Sequence, residues 1–173
     1  RRFQAALSAS ITVIDESFCD VTTQETRIAE TRRPGVIVLK SFGKFWGLAG
    51  LRLGFAIAHP STIASLSALI GPWPVSGPAL EVATRALSDP AWAAATRTRL
   101  AQDSARLDRL MAPHSSLVGG TTLFRLYAVP DAHSFQTRLA QHQIWSRIFP
   151  YSSTWIRLGL PPAARWSALE AAL

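Results

Sequence analysis

"VLKSFGKFWGLAGLRLGF", residues 38–55, decides the fold of this chain. Of the 18 lysine and arginine residues, only Lys40 and Lys44 are lysines, and both lie in this stretch. Glycines on either side of Lys44 would let the backbone approach a planar ligand closely. An amine that reacts with carbonyl groups needs a partly desolvated or cationic environment. The stretch therefore predicts a ligand site at Lys44, and the alternative is a lysine in an exposed glycine-rich turn.

Three polar residues near Lys44 could complete such a site. Ser41 and Arg52 flank the lysine in the sequence, and a hydroxyl and a guanidinium both bind phosphate well. Upstream, the β-branched run "ITVID" predicts a buried strand that ends at Asp15. The alternative for Asp15 is a simple cap of the strand end. Glu16 should point to the opposite face, which argues against a pair of carboxylates acting together.

The pattern along the chain alternates strands and helices, which predicts an α/β fold. The first part should be a mixed sheet followed by a helix that Ser61 or Thr62 caps, with strands at 11–15, 35–41 and 51–58 and the helix at 59–69. The second part should be α+β, with helices between 79 and 111 interrupted near Pro90, strands at 121–129 and 154–160, and helices at 132–144 and 163–173. A loop rich in proline and glycine, 71–78, predicts a boundary between domains at 1–78 and 79–173.

Composition excludes several classes of protein. The chain has 173 residues, 48% of them hydrophobic, which is enough for a sizeable core. Its net charge of +7 suggests nucleic acid, but the arginines are scattered, with doublets only at 1–2 and 32–33. An arginine-rich binding domain without catalysis is therefore the weaker alternative. The single Cys19 and four histidines without ligand spacing predict no metal site. No apolar run approaches the length of a membrane span, so we expect a cytoplasmic protein.

The motif Ser-x-x-Lys followed by Gly-Leu-x-Gly-x-Arg-x-Gly, residues 41–54, resembles the pyridoxal-phosphate lysine signature of the class I/II aminotransferase family. The segment "VIDESF" resembles the strand of that family that ends in an aspartate. With "GPWPVSGPAL" and "WIRLGLP", the chain is most similar to the threonine-phosphate decarboxylases of cobalamin biosynthesis, which are relatives of histidinol-phosphate aminotransferase. The resemblance implies the C-terminal part of a fold type I transferase. Residues 1–78 would then belong to the cofactor-binding large domain, and 79–173 to a helical connection and a small α+β domain.

The resemblance also implies a role for each matching residue. Lys44 would form the Schiff base with pyridoxal 5'-phosphate and later donate a proton, and Asp15 would face the pyridine nitrogen. Ser41 and Arg52 would bind the cofactor phosphate. Phe18 stands where aminotransferases of this family usually have a tyrosine, which weakens the transaminase alternative because phenylalanine has no hydroxyl to donate.

Two arginines match substrate-binding positions of the family. Arg157, in "WIRLGLP", would hold the substrate carboxylate, and the alternative is an ordinary exposed strand arginine. Arg147 would face the distal, phosphorylated end of the substrate, although its spacing from the nearest motif is loose.

The implied reaction is the decarboxylation of L-threonine O-3-phosphate to (R)-1-amino-2-propanol O-2-phosphate, carried out by a homodimer. The runner-up is an aminotransferase of the histidinol-phosphate type. The resemblance further implies that these residues are the C-terminal half of the enzyme. By themselves they should bind the cofactor poorly and be inactive.

Overall fold

The computed structural model describes residues 10–173, so the Arg1-Arg2 doublet lies outside the described residues. The chain divides into two compact units, one ending at Pro90 and the other spanning Ala91–Leu173. Each unit contains its own sheet. The boundary at residue 78 concerns the domains of the whole protein and stays a prediction.

The first unit contains the predicted mixed sheet. Its strands are β1 (Thr12–Asp15), β2 (Val36–Ser41) and β3 (Gly54–Ala58), in the order β1-β2-β3. β1 runs parallel to β2, and β2 runs antiparallel to β3. The carboxyl ends of β1 and β2 and the amino end of β3 therefore lie at the same edge of the sheet.

Two helices follow the sheet in this unit, α1 (Pro60–Ile70) and α2 (Gly77–Leu87). The predicted cap of α1 was wrong by two residues, because the ring of His59 accepts the hydrogen bond from the Ser61 amide at 3.4 Å. Proline at the next position suits the first helical turn, where its missing N–H costs nothing. Phe42, Leu53 and Ala83 form a buried cluster between the loop after β2 and the helix α2.

The second unit contains a four-stranded antiparallel sheet in the order β4-β5-β7-β6. Its elements are α3 (Pro90–Met111), β4 (Ser116–Thr121), β5 (Phe124–Ala128), α4 (Ala132–Gln141), β6 (Arg147–Phe149), β7 (Ser152–Gly159) and α5 (Trp166–Ala172). The predicted break in the helices near Pro90 is confirmed. The sequence pattern did not reveal β4, which carries two glycines, or β6, which has three residues.

One face of this second sheet packs against helices to form the core of the unit. Side chains from α3, α4 and α5 join those of β5 and β7 in a single buried cluster, with Leu107, Leu139, Ile156 and Trp166 among its members. In β7 the alternation of a strand directs Ile156 and Leu158 into this core and Arg157 to the opposite face. Between residues 10 and 173, the structure contains no helix with the length and hydrophobicity needed to cross a membrane.

Candidate active site

Four of the predicted site residues lie at one edge of the first sheet. Asp15 ends β1, Ser41 ends β2, and Arg52 comes two residues before β3 begins. Lys44 lies in the connection between β2 and β3. We call this set, Asp15, Ser41, Lys44 and Arg52, the lysine edge. It exists because two parallel strands end where the third, antiparallel strand starts.

The aromatic residues around Lys44 anchor its loop to the core. Phe42 and Phe45 are buried, and the rings of Phe42 and Trp46 stack with centroids 5.4 Å apart. Gly47 has a positive φ of 70°, which other residues adopt only with strain. The amide of Leu48 donates to the carbonyl of Phe42 at 2.9 Å and closes the loop. Lys44 is consequently exposed on a turn that its neighbours hold in place.

A small cavity of about 230 Å³ lies beside this loop, and Ser41, Gly43 and Arg52 are among its lining residues. The Ser41 hydroxyl accepts a hydrogen bond from the Gly43 amide at 3.1 Å, so its own proton can be donated elsewhere. A Cβ at Gly43 would lie 3.3 Å from the Cα of Ala49, which leaves little room for a side chain. A hydroxyl and a guanidinium on one cavity are suited to an anion such as phosphate.

Arg52 adopts a left-handed backbone conformation, with φ 53° and ψ 37°. Such a conformation costs about 1 kcal/mol for a residue with a side chain. Its guanidinium donates to the carbonyl of Ala49 at 3.3 Å. Strained residues are found at ligand sites because the surrounding structure must hold them there, which agrees with a binding role for Arg52.

Asp15 is held in its ionised form by local hydrogen bonds. Its carboxylate accepts from the Ser17 hydroxyl at 2.5 Å and from the Ser17 amide at 2.8 Å. These two bonds are the main reason that the pKa of Asp15 is lowered, and the positive charge of Lys44 lowers it further while burial opposes the change. The Lys44 Nζ also lies 5.4 Å from the centre of the Phe18 ring.

A buried charged cluster lies on the other face of the same strand ends. The Lys40 Nζ lies 2.7 Å from Asp20 Oδ1 and 3.2 Å from Glu16 Oε2, and Trp46 Nε1 donates to Asp20 Oδ2 at 3.0 Å. We call these four residues, Glu16, Asp20, Lys40 and Trp46, the Lys40 cluster. Strand alternation predicted that Glu16 points away from Asp15, but no pattern in the sequence predicted the cluster. One feature of the sequence could have indicated it, because charged residues stand next to two of the predicted site residues: Glu16 follows Asp15, and Lys40 precedes Ser41.

The two predicted substrate arginines lie together in the second unit. Arg147 of β6 and Arg157 of β7 are directly opposite in the antiparallel register, so both side chains project from the same face of the sheet. The Arg157 guanidinium carbon lies 4.9 Å from the centre of the Phe124 ring. We call this pair the arginine face. It borders a cavity of about 560 Å³ that Gln136 and Trp145 also line.

The model of the family "Aminotransferase class I and II" matches residues 4–172 of the sequence. The chain belongs to this aminotransferase family. The lysine motif and the strand ending at Asp15 therefore lie within a match that covers nearly the whole chain. The fold class predicted from the sequence, part of a pyridoxal-phosphate-dependent transferase with two sheets, is confirmed by this match and by similarity to solved structures.

Two curated relatives of this aminotransferase-family chain are threonine-phosphate decarboxylases. The chain is 42% identical over 163 residues to the threonine-phosphate decarboxylase of Pseudomonas aeruginosa, and 41% identical over 160 residues to that of a Sinorhizobium species. These alignments cover 93% and 91% of the chain but 49% and 47% of the relatives. The chain thus spans about half the length of the curated relatives it matches.

The fold is also that of a solved aminotransferase. The histidinol-phosphate aminotransferase of Sinorhizobium meliloti, whose crystal structure is a complex with pyridoxal-5'-phosphate, superposes with a TM-score of 0.82 at 24% identity. That superposition covers 94% of this chain and 47% of the other. The resemblance to the family that the motifs indicated is confirmed by these comparisons. The roles of individual residues stay predictions.

Proposed function

We propose that the protein containing this chain is a pyridoxal-phosphate-dependent threonine-phosphate decarboxylase. It would convert L-threonine O-3-phosphate to (R)-1-amino-2-propanol O-2-phosphate in the cytoplasm, as a homodimer and as a step of cobalamin biosynthesis. The observation that carries the proposal is the lysine edge, where the end of β1, the end of β2 and the loop between β2 and β3 bring an exposed amine and an ionised carboxylate to the edge of the sheet that also carries Ser41 and Arg52. The identity to two threonine-phosphate decarboxylases supports the choice of reaction.

The residues of the lysine edge fit the cofactor group by group. Ser41 and Arg52 offer a hydroxyl and a guanidinium to its phosphate, which is the pairing that phosphate favours. Asp15, ionised because of its bonds to Ser17, offers a carboxylate to the protonated ring nitrogen. When bound, pyridoxal phosphate would supply an aldehyde for an amine and a ring that accepts an electron pair from Cα.

Lys44 would perform the proton transfer of the reaction. Its amine is exposed at the lysine edge and would deliver a proton to Cα of the substrate after carbon dioxide has left. The loop that carries it is anchored by Phe42 and Phe45, so the amine is held close to its place before substrate binds. Asp15 would keep the ring nitrogen protonated throughout.

Arg147 and Arg157 would orient the substrate. L-threonine O-3-phosphate carries two anionic groups, and the arginine face offers two guanidinium groups on neighbouring strands. The ring of Phe124 limits the positions that the Arg157 guanidinium can take. A carboxylate held by arginine places the bond from Cα to the carboxylate in a fixed direction, and that direction would decide whether the carboxylate or the Cα proton is lost.

An aminotransferase of the histidinol-phosphate type is the second candidate, because the matched family is named for transamination and the same lysine edge serves both reactions. Phe18, which lies against Lys44 and has no hydroxyl, favours the decarboxylase. The arginine-rich binding domain has less support. Within residues 10–173, several arginines form ion pairs, among them Arg85, Arg99, Arg106 and Arg125.

The test is to supply the intact protein with pyridoxal phosphate and L-threonine O-3-phosphate and to measure two products. Carbon dioxide release without any need for 2-oxoglutarate is expected. A keto product that forms only with 2-oxoglutarate would establish the aminotransferase instead. No turnover of either kind would contradict both. Light scattering of the same preparation tests the proposed dimer.

A further inference from the structure

The two lysines of the chain have opposite surroundings although four positions separate them. Lys44 is exposed at the lysine edge. The Lys40 side chain is only 16% exposed and lies between two carboxylates, Asp20 at 2.7 Å and Glu16 at 3.2 Å. A carbonyl group reacts with the neutral form of an amine, so a lysine that is held as an ammonium ion reacts slowly.

Both carboxylates of the Lys40 cluster accept further hydrogen bonds from neighbouring donors. Glu16 also accepts from the Thr26 hydroxyl at 2.7 Å and from the amide of Arg27. Asp20 accepts from Trp46 Nε1 at 3.0 Å. With these bonds in place the cluster connects the ends of β1 and β2, the turn after β1 and the loop that carries Lys44.

Three of the four members of the cluster lie within two residues of a residue of the lysine edge. Glu16 follows Asp15, Lys40 precedes Ser41, and Trp46 comes two residues after Lys44. Neighbouring residues at the strand ends point to opposite faces, so Glu16 and Lys40 project from one face of the sheet, and Asp15 and Ser41 project from the other. The amide of Glu16 also donates to the carbonyl of Leu39 at 2.8 Å, which extends the pairing of β1 and β2 past Asp15.

We infer that Lys40 is a positioning residue, whose ion pairs with Glu16 and Asp20 fix the strand ends that carry Asp15 and Lys44 and keep its own amine from reacting with aldehydes. The part concerning cofactor placement rests on the proposed function, whereas the reactivity of Lys40 does not.

The direction of the Lys40 pKa agrees with this inference. Burial alone would lower the pKa of Lys40, but the hydrogen bond and charge of Asp20, followed by those of Glu16, outweigh burial and raise it. For Glu16, burial would raise the pKa, and the bonds from Arg27, Thr26 and Lys40 lower it instead. Both partners therefore stay charged at neutral pH.

The first test compares the two lysines with a probe that needs no cofactor site. The intact protein is treated with formaldehyde and cyanoborohydride, and methylation of Lys40 and Lys44 is followed over time by tandem mass spectrometry of the peptides. Lys40 should be methylated several-fold more slowly, because its amine is mostly buried between two carboxylates whereas Lys44 is exposed. Equal rates, or a faster rate at Lys40, would overturn the inference.

Two variants show whether the ion pair or burial alone slows the methylation of Lys40. Asp20→Asn keeps the size of the side chain and removes its charge, so Lys40 methylation should rise several-fold. Asp108→Asn is the matched control, because it removes an ion-paired carboxylate from the other unit. An unchanged Lys40 rate in Asp20→Asn would leave burial as the whole cause and contradict the inference. The same rise in Asp108→Asn would assign the effect to general loosening and contradict it too.

The positioning role of Lys40 is tested separately, by the yield of the cofactor adduct on Lys44. The intact protein and its Lys40→Met and Lys40→Arg variants are incubated with pyridoxal phosphate, reduced with borohydride, and assayed for the adduct on Lys44. Lys40→Met should lower the adduct yield at limiting cofactor, and Lys40→Arg should restore it because arginine can reach both carboxylates. Equal yields in all three proteins would overturn the positioning role. A wild-type protein with no adduct on Lys44 would instead contradict the proposed function and leave the formaldehyde result standing.

Discussion

The lysine edge and the arginine face present charge in different ways. The lysine edge combines an amine, a guanidinium and a carboxylate, whereas the arginine face offers two guanidinium groups. Mixed signs suit a ligand that has both a phosphate and a protonated ring, and two positive charges suit a ligand with two anionic groups. The difference in charge therefore agrees with the proposal that the lysine edge binds the cofactor and the arginine face binds the substrate.

Both units also contain a buried charged network. In the first unit it is the Lys40 cluster, and in the second Asp108 accepts two hydrogen bonds from Arg125 and one from the Tyr127 hydroxyl. The networks involve the less exposed ionisable residues, while Lys44 and Arg147 are exposed. We therefore expect the exposed lysine and arginine residues to react with or bind ligands, and the residues of the charged networks to stabilise the fold.

Replacing Lys44 with alanine should have the largest effect on the proposed activity. Decarboxylation by the intact protein should fall roughly 10⁴-fold or more, because both the amine for the cofactor and the proton donor are lost. The stability should change little, since the side chain is exposed. Turnover assays and urea unfolding measure the two quantities. Arg85→Gln, an exposed change on α2, is the control and should keep normal turnover. A Lys44→Ala protein within tenfold of wild type would contradict the proposed role.

A second variant, Asp15→Asn, tests the carboxylate at the lysine edge. Turnover should fall about 10²- to 10³-fold, because a neutral amide does not keep the ring nitrogen protonated. The protein should still trap cofactor on Lys44 after borohydride reduction. Loss of trapping together with turnover would mean that Asp15 is needed for folding or binding rather than for the reaction.

The hydrogen bonds from Ser17 give a related prediction for pH dependence. They favour the ionised form of Asp15 and lower its pKa. Ser17→Ala removes the bond from the hydroxyl and keeps the bond from the amide, so the pKa of Asp15 should rise part of the way back in this variant. The acidic limb of the pH profile of kcat/KM should then move to higher pH in the variant. An identical acidic limb would show that Asp15 does not control it.

The arginine face can be tested through substrate affinity. Arg157→Gln should raise KM for L-threonine O-3-phosphate about 10- to 100-fold, since a hydrogen bond between charged groups contributes about 1.5–3 kcal/mol. Cofactor trapping on Lys44 should not change. Arg147→Gln, on the strand opposite, should also raise KM if the arginine binds the substrate phosphate. L-Threonine, which lacks the phosphate, is the control substrate. If Arg147 binds the phosphate, Arg147→Gln should leave the KM for L-threonine unchanged. An equal rise in KM for both substrates would rule that role out.

The smallest expected effect is on stability, at Asp108. Asp108→Asn should lower the free energy of unfolding by about 1–3 kcal/mol, because Arg125 and the buried Tyr127 lose a charged partner. Burial would raise the pKa of Asp108, but its bonds from Arg125 and Tyr127 lower it. The stabilisation should therefore be complete above about pH 4 and be lost as the pH falls through the lowered pKa.

Urea unfolding at several pH values measures this dependence. The difference between wild type and Asp108→Asn should shrink on acidification. Asp103→Asn is the matched control, since its partner Arg99 is mostly exposed and such a pair contributes little. A difference that grows in acid would have the wrong sign for this explanation.

The sequence predicted the lysine edge because its residues occupy one short stretch and one strand end. A β-branched run that ends in Asp15 and a glycine-flanked Lys44 are local signals, and the parallel pairing of β1 with β2 brings them together. The Lys40 cluster was missed because it depends on which residues of the turn after β1 fold back. Asp20 and Thr26 gave no periodic signal of that contact.

In the second unit, the length of each strand decided whether the sequence pattern could locate it. Arg157 lies in an eight-residue strand that the pattern located, whereas Arg147 lies in a three-residue strand with no detectable alternation. Only the register between β6 and β7 places the two arginines opposite each other.

The most direct test of the account is reduction of the intact protein with borohydride in the presence of pyridoxal phosphate, followed by mass spectrometry of the peptide that contains both lysines. The account predicts a pyridoxyl group on Lys44 and an unmodified Lys40. A pyridoxyl group on Lys40, or none on either lysine, would contradict it.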